Sequence, residues 1–173
     1  MARLAKALAV LRDQVNVLYP NRSHASDGWI GDPAHASRKS DHNPNSVGVV
    51  TALDLTTDAA DGADTEALAE ILRASRDHRI KYVIYRGRMF ASYDAASSAW
   101  TWRPYNGPNG HFHHMHISVE SGAAFYDDDR PWALDPAHCD YSPPRAAFAQ
   151  QLLGRGPAVL RANPAEHALL AVP

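Results

Sequence analysis

The chain has 173 residues, of which 45% are hydrophobic, 21% charged and 9% aromatic, and its formal net charge is −2. That length and balance describe one globular domain able to bury a proper core. They argue against a nucleic-acid binder, which would carry a basic excess or stripe, and no apolar run is long enough to span a bilayer.

Arg3 and Lys6 begin the chain beside a short apolar run, but Arg12, Asp13 and Gln14 break it early. No small-residue cleavage site follows, so no signal peptide is expected. Leu4, Leu8, Leu11, Val15 and Leu18 recur at helical spacing instead, which predicts an amphipathic first helix ended by Pro20. Asn21 to Ser46 is rich in Ser, Asp, Asn, Gly and Pro, the chemistry of a loop. Loops of that length are either functional or disordered. Trp29, Ile30 and three histidines favour an ordered functional one.

Val47–Leu55 (VGVVTALDL) reads as a buried strand. After a turn over Asp58–Asp64, Thr65–Ser75 reads as a helix. Asp64 or Thr65 caps it, and Leu68, Ile71 and Leu72 form its apolar face. Ile80–Tyr85 and Met89–Ser92 are predicted strands joined by a turn at Arg86-Gly87-Arg88, and Ala99–Arg103 alternates like a further strand. Pro104–Gly110 is a loop, and His114–Val119 (HMHISV) alternates strictly and is the clearest strand. The domain is expected to occupy 1–140. From Tyr141 the composition shifts to a tail, 141–173, with a short helix over Arg145–Leu153. The single cysteine, Cys139, cannot form an internal disulfide and has no CxxC partner, so it reads as a small buried hydrophobe. The fold class expected is α+β: a small, mostly antiparallel sheet with helices on one side and the site in a groove on the sheet.

Histidine is unusually frequent: ten residues, four of them within Gly110–His116. Period two sets His114, His116 and Ser118 on one face of the last strand, with Met115, Ile117 and Val119 facing the core. Two neighbouring imidazoles above a packed sheet suit a metal or a proton-transfer site. Asp54 lies inside an apolar strand between Leu53 and Leu55, where an unpaired carboxylate is costly. Its partner is either an arginine or a metal. His42 stands at the loop end leading into that strand. His42, Asp54 and His116 together make three ligands with a fourth position open, the arrangement of catalytic rather than structural zinc.

Ser40-x-His42, Gly48, Asp54 and, far downstream, His114-x-His116 resemble the LAS metallopeptidases. That group includes M15-type D-alanyl-D-alanine peptidases, murein endopeptidases and the hedgehog signalling domain. His111-x-x-His114-x-His116 is similar to the active-site strand of the penicillin-insensitive murein endopeptidases. SDHNPN…GVVTALD, KYVIY, WTWRPYNG and HMHISV resemble the M15-like lysin domains of phages and prophages. The resemblance runs from about Asp27 to Val119. It implies a zinc peptidase that cuts an amide bond in peptidoglycan, with His42, Asp54 and His116 as zinc ligands. It also implies an enzyme made in the cytoplasm that reaches the cell wall after holin-type release. The sequence departs from the family at two places. His42 and Asp54 are twelve positions apart rather than seven, which an insertion around Asn43–Val47 explains. The glutamate that many M15 enzymes place three residues before the last zinc ligand is His113 here, so an imidazole must act as base.

Zinc acidifies water and polarises a scissile carbonyl, and a neutral imidazole takes the proton and passes it to the leaving amine. His114, on the face of His116, is the expected base, and His111 is the second candidate, as base or as oxyanion donor. His113 ranks lower because strict alternation turns it to the core side. His35, seven residues before His42, is an outside candidate ligand. Arg38, Ser40 and Arg103 are the candidate substrate-binding residues, since arginine forks suit the carboxylates of stem peptides. Trp100, Trp102 and Tyr105 either line a groove or pack in the core. A monomer that contacts neither nucleic acid nor membrane is expected. Two alternatives stand beside the peptidase. One is a non-catalytic zinc module whose groove binds a partner. The other is an HNH-type nuclease suggested by Asp41-His42-Asn43-Pro44, which lacks the basic surface such an enzyme needs.

Overall fold

The structure, a computed structural model, describes residues 1–31, 38–60, 63–95 and 97–134. His35, Cys139 and the tail from Tyr141 lie outside the described residues. Chain order is β1 (Arg3–Leu4), α1 (Lys6–Leu18), β2 (Val49–Val50), β3 (Ala52–Thr56), α2 (Thr65–Ser75), β4 (Ile80–Tyr85), β5 (Arg88–Ala91), β6 (Arg103–Pro104), β7 (His114–Val119) and α3 (Ala123–Tyr126). Five strands form an antiparallel sheet in the order β3-β7-β4-β5-β6, and β1 and β2 form a small parallel pair. The class is α+β. Helix α1 packs on β3, and α2 packs on β4 and β7.

The central strand shows the period that its sequence predicts. Met115, Ile117 and Val119 are fully buried, and His114, His116 and Ser118 form the other row. Helix α2 buries Ala67, Leu68, Ile71 and Leu72. The Asp64 carboxylate caps it by accepting hydrogen bonds from the Glu66 and Ala67 N–H groups, and Arg76 ends it in the left-handed conformation. The hairpin between β4 and β5 turns through Arg86 (φ 47°) and Gly87 (φ 70°), the positive-φ pair that a tight right-twisted hairpin requires.

Three expectations need correction. Helix α1 begins at Lys6, not Leu4, because Arg3 N–H donates to the Gly48 carbonyl and Ala5 N–H to that of Val50, holding residues 3–5 extended. Val47–Leu55 is not one strand. Val47 is exposed in a turn closed by the Asn45 side chain, Gly48 takes φ 82°, and the chain changes sheets at Thr51, between β2 and β3. Ala99–Arg103 is mostly a turn: Trp100 has φ 61° and only Arg103 enters β6. Its aromatic alternation reflects packing, since Trp100 and Trp102 both lie against Phe90. The sequence assigns no element to the segment directly after β7. It carries α3 and then an extended stretch in which Trp132 Nε1 donates to the Ala7 carbonyl (2.7 Å) and the Arg79 guanidinium stacks 3.9 Å above the indole.

The loop before β2 is ordered where it is described. The Arg22 side chain is fully buried and is paired by Asp27 at 2.6 Å and 2.8 Å and by Asn16. Asp27 also accepts from the Thr56 N–H and hydroxyl, which pins the loop to the end of β3. Burial alone would raise the Asp27 carboxyl, but the Arg22 guanidinium and the other donors hold it well below the usual carboxylate range.

Candidate metal centre

Asp54 and His116 face each other across β3 and β7 as directly paired residues, which puts their side chains within reach. Asp54 Oδ1 lies 2.9 Å from His116 Nδ1. The third group arrives from the loop. Gly28 forms a two-bond antiparallel bridge with Asp54, so the chain at Gly28 and Trp29 runs alongside β3 as a short extra edge. The Trp29 carbonyl then meets His42 Nδ1 at 3.1 Å, and Gly31 N–H donates to the His42 carbonyl. Held this way, His42 Nε2 lies 3.1 Å from His116 Nδ1 and 3.3 Å from Asp54 Oδ2. The twelve-residue interval is no obstacle, because Asn45–Gly48 closes on itself as a hydrogen-bonded turn.

His42, Asp54 and His116 thus form a group able to hold a metal ion. Zinc bonds of about 2.0–2.2 Å around a tetrahedral centre put ligand atoms roughly 3.3–3.5 Å apart. His42 Nε2 and His116 Nδ1 are 3.1 Å apart, near that edge, and the Asp54 carboxylate meets them through different oxygens, Oδ2 at 3.3 Å and Oδ1 at 2.9 Å. The hydrogen-bond chemistry also fits. The Trp29 carbonyl takes the proton of His42 Nδ1, and Ser118 Oγ lies 3.0 Å from His116 Nε2. In those neutral tautomers both rings can turn a lone pair to an ion held beside the Asp54 carboxylate, whereas without an ion a ring proton lies on that side. Burial would raise Asp54, but its hydrogen bonds from His116 and His42 hold it well below the usual carboxylate range. Burial opposes charge on His42, and the Asp54 carboxylate outweighs it and raises that imidazole above its ordinary value.

His111 and His114 flank the cluster. The His111 ring lies 5.0 Å from that of His114 and 5.4 Å from that of His116, and Tyr105 packs on its other side. His114 Nε2 is 3.8 Å from Asp54 Oδ2. Burial pushes His111 down to about 4, with the neighbouring imidazoles His116 and His114 adding to the effect, and burial also lowers His114. Both are neutral near pH 7. His111 takes a left-handed backbone (φ 54°), and its buried Nδ1 has no hydrogen-bond partner among the described residues. His113 is exposed rather than core-facing, because β7 starts one residue later at His114.

The candidate substrate-binding residues are less concentrated. Arg38 is exposed, and its carbonyl accepts from Asn43 Nδ2. Ser40 shapes the loop, since its Oγ accepts from the His42 N–H. Arg103 is committed to Asp94 at 2.9 Å and 3.2 Å, which raises the guanidinium further. Trp102 Nε1 donates to the Glu70 carboxylate on α2.

Sequence reasoning missed a second layer behind His116. Tyr82 stacks on the His116 ring (5.5 Å, 18°) and pairs with Ser118 across β4 and β7. Lys81 Nζ closes the layer on Asp41 at 2.8 Å and 2.9 Å. Burial would raise the Asp41 carboxyl, and Lys81 outweighs it and lowers it. A β-bulge between Ile80 and Tyr82 makes Lys81 the extra residue of β4, so that Lys81 reaches Asp41 while lying beside the Tyr82 ring. The strict alternation around HMHISV places Ser118 beside His116, but only the strand register brings Tyr82 to it.

Among the described residues no helix is long and apolar enough to cross a membrane. No family model matches the chain, and no solved structure matches it. Over 41 residues the chain is 46% identical to a protein of Agrobacterium fabrum (strain C58 / ATCC 33970) described as "Probable hydroxyethylthiazole kinase". That stretch is 24% of this chain and 17% of the relative, so the chain spans about a sixth of the length of the curated relative it matches. A match of that extent shows no family.

Proposed function

We propose that the chain is a zinc-dependent amide hydrolase acting on peptidoglycan stem peptides or cross-links, in the manner of the M15-like lysins that its motifs resemble. The observation that carries this reading is the convergence of His42 Nε2, the Asp54 carboxylate and His116 Nδ1, with two further neutral imidazoles against them. Two imidazoles and one carboxylate suit zinc, and three ligands leave a coordination position for chemistry. When bound, zinc supplies Lewis acidity toward a scissile carbonyl and acidifies water.

The protein's own groups do the rest. The Asp54 carboxylate and the two ring nitrogens hold the charge at one point. His114 is neutral, partly open to solvent and beside the Asp54 carboxylate, so it accepts a proton and returns it to the leaving amine. His111 packs its neutral ring against both His114 and His116 at the edge of the cluster. The test uses purified peptidoglycan, wild type and His114→Ala, with zinc content and released amino groups measured on the same samples. The expected result is zinc in both proteins and release by wild type alone. Zinc-loaded wild type that frees no amino groups would replace this reading with a non-catalytic zinc module.

A further inference from the structure

The Lys81 ammonium stands where the supports of both histidine ligands meet. Its Nζ donates to Asp41 Oδ1 at 2.9 Å and to Oδ2 at 2.8 Å, and Asp41 directly precedes His42 in the chain. The same Nζ lies 5.4 Å from the centre of the Tyr82 ring, which stacks on His116. We propose that Lys81 is a positioning residue of the metal centre, a brace that holds the His42 turn through Asp41 and the His116 ring through Tyr82. The inference rests on the metal reading above and deepens it, naming what keeps two ligands from distant parts of the chain in place.

His42 comes from a loop, and a ligand on a loop must be ordered before it binds. Two backbone bonds hold its turn: Gly31 N–H donates to the His42 carbonyl (2.9 Å) and Thr51 N–H to the Asp41 carbonyl (3.2 Å). The Lys81–Asp41 ion pair adds a tie to β4, the strand that pairs with β7 and carries Tyr82. Lys81 serves as an anchor because its own backbone is fixed. Its carbonyl accepts from the Ser92 N–H (3.0 Å) and the Ser92 hydroxyl (3.2 Å), and the bulge between Ile80 and Tyr82 sets its side chain at Asp41. Its distance from the Tyr82 ring is within the reach of cation–π attraction, and the near-parallel stack of Tyr82 on His116 limits how far that imidazole turns. Partners of this kind behind a metal-bound histidine set ring orientation. The Lys81 and Asp41 side chains are 30% and 21% exposed, so removing the ammonium leaves Asp41 within reach of water rather than stranded, and the fold survives the change.

The test compares wild type, Lys81→Met and Lys81→Arg, each as the full chain, with three readouts. These are zinc affinity by chelator competition, the visible absorption of the cobalt-loaded protein, and amide hydrogen exchange at Gly31 and Thr51 in the metal-free protein. Lys81→Met is expected to weaken zinc binding about 10–100-fold, to alter the cobalt bands and to speed exchange at both amides. Lys81→Arg, which keeps a cation for the Asp41 carboxylate, is expected to restore all three. Adding Asp41→Asn to Lys81→Met should weaken zinc binding no further, because the pair acts as a unit; an additive loss would overturn the route through Asp41. Unchanged zinc affinity and cobalt bands in Lys81→Met would overturn the proposal, and faster exchange alongside them would mark the pair as merely structural. A wild type that binds neither metal removes the zinc-hydrolase reading; the brace then stands if Lys81→Met speeds exchange at Gly31 and Thr51, and falls if it does not.

Discussion

Replacing Asp54 with Asn keeps the side-chain shape and removes the charge. The carboxylate lost lies 2.9 Å from His116 Nδ1 and 3.3 Å from His42 Nε2. Zinc held by four protein ligands contributes about 10–16 kcal/mol in small domains, so one ligand is worth roughly 3 kcal/mol, or about 100-fold in affinity. At a zinc concentration 100-fold above the wild-type Kd, wild type gains about 2.7 kcal/mol, while the variant sits near its own Kd and gains about 0.4 kcal/mol. For a chain of this length each kcal/mol moves Tm by about 2–4 °C, so zinc raises the wild-type Tm by about 5–11 °C and that of Asp54→Asn by about 1–2 °C. Scanning calorimetry of chelator-treated protein, with and without zinc, reads both shifts. Equal shifts would remove Asp54 from the ligand set. A wild type that responds to neither zinc nor cobalt would remove the metal centre.

Three further changes probe the groups around that centre. His114→Ala should keep zinc and lower the rate of amide cleavage about 10²–10⁴-fold, measured as amino groups released; loss of zinc in this variant would make His114 a ligand instead. Asp27→Ala should cost about 3–5 kcal/mol in urea unfolding at pH 7, because it strips the main partner from the fully buried Arg22 side chain. The Asp27 carboxyl is lowered in the folded protein, so its stabilisation is complete above the unfolded value of about 3.9 and is lost as pH falls toward the folded value. The gap between wild type and Asp27→Ala should therefore narrow below about pH 4, and a gap that stays constant to pH 2 would contradict the assignment. Trp132→Ala should cost about 3–5 kcal/mol, since it empties a buried indole site and uncovers the Arg79 guanidinium stacked on it; a loss under 1 kcal/mol by thermal unfolding would mean that the 128–134 stretch adds little to the core.

What could be read from the sequence was whatever its own local period or capping determines. Helix α2 carries its apolar face and its length within the eleven residues Thr65–Ser75, with its cap Asp64 directly before them, and β4 and β7 fall on the expected boundaries. The donor types of the centre were legible for a different reason. A carboxylate between Leu53 and Leu55 demands a partner, and HxH on an alternating strand supplies one. Features that depend on distant pairing were not legible. Nothing near Leu4 announces that Arg3 and Ala5 will bond to Gly48 and Val50, and nothing near Trp100 announces its left-handed backbone. Arg103 reads as free for a substrate until Asp94 is found beside it.

Lys81 shows why such pairings matter to the centre. In unbroken alternation, neighbours on β4 face opposite ways, and Lys81 could not reach Asp41 while lying beside the Tyr82 ring. The bulge removes that constraint. The consequence concerns charge at the metal centre. Asp41 adjoins His42 and is as good a ligand by type as Asp54. With both oxygens of Asp41 taken by the Lys81 ammonium, the carboxylate left facing the two imidazoles is Asp54. The candidate ligand set therefore owes as much to the cation that withdraws Asp41 as to the strand pairing that delivers Asp54.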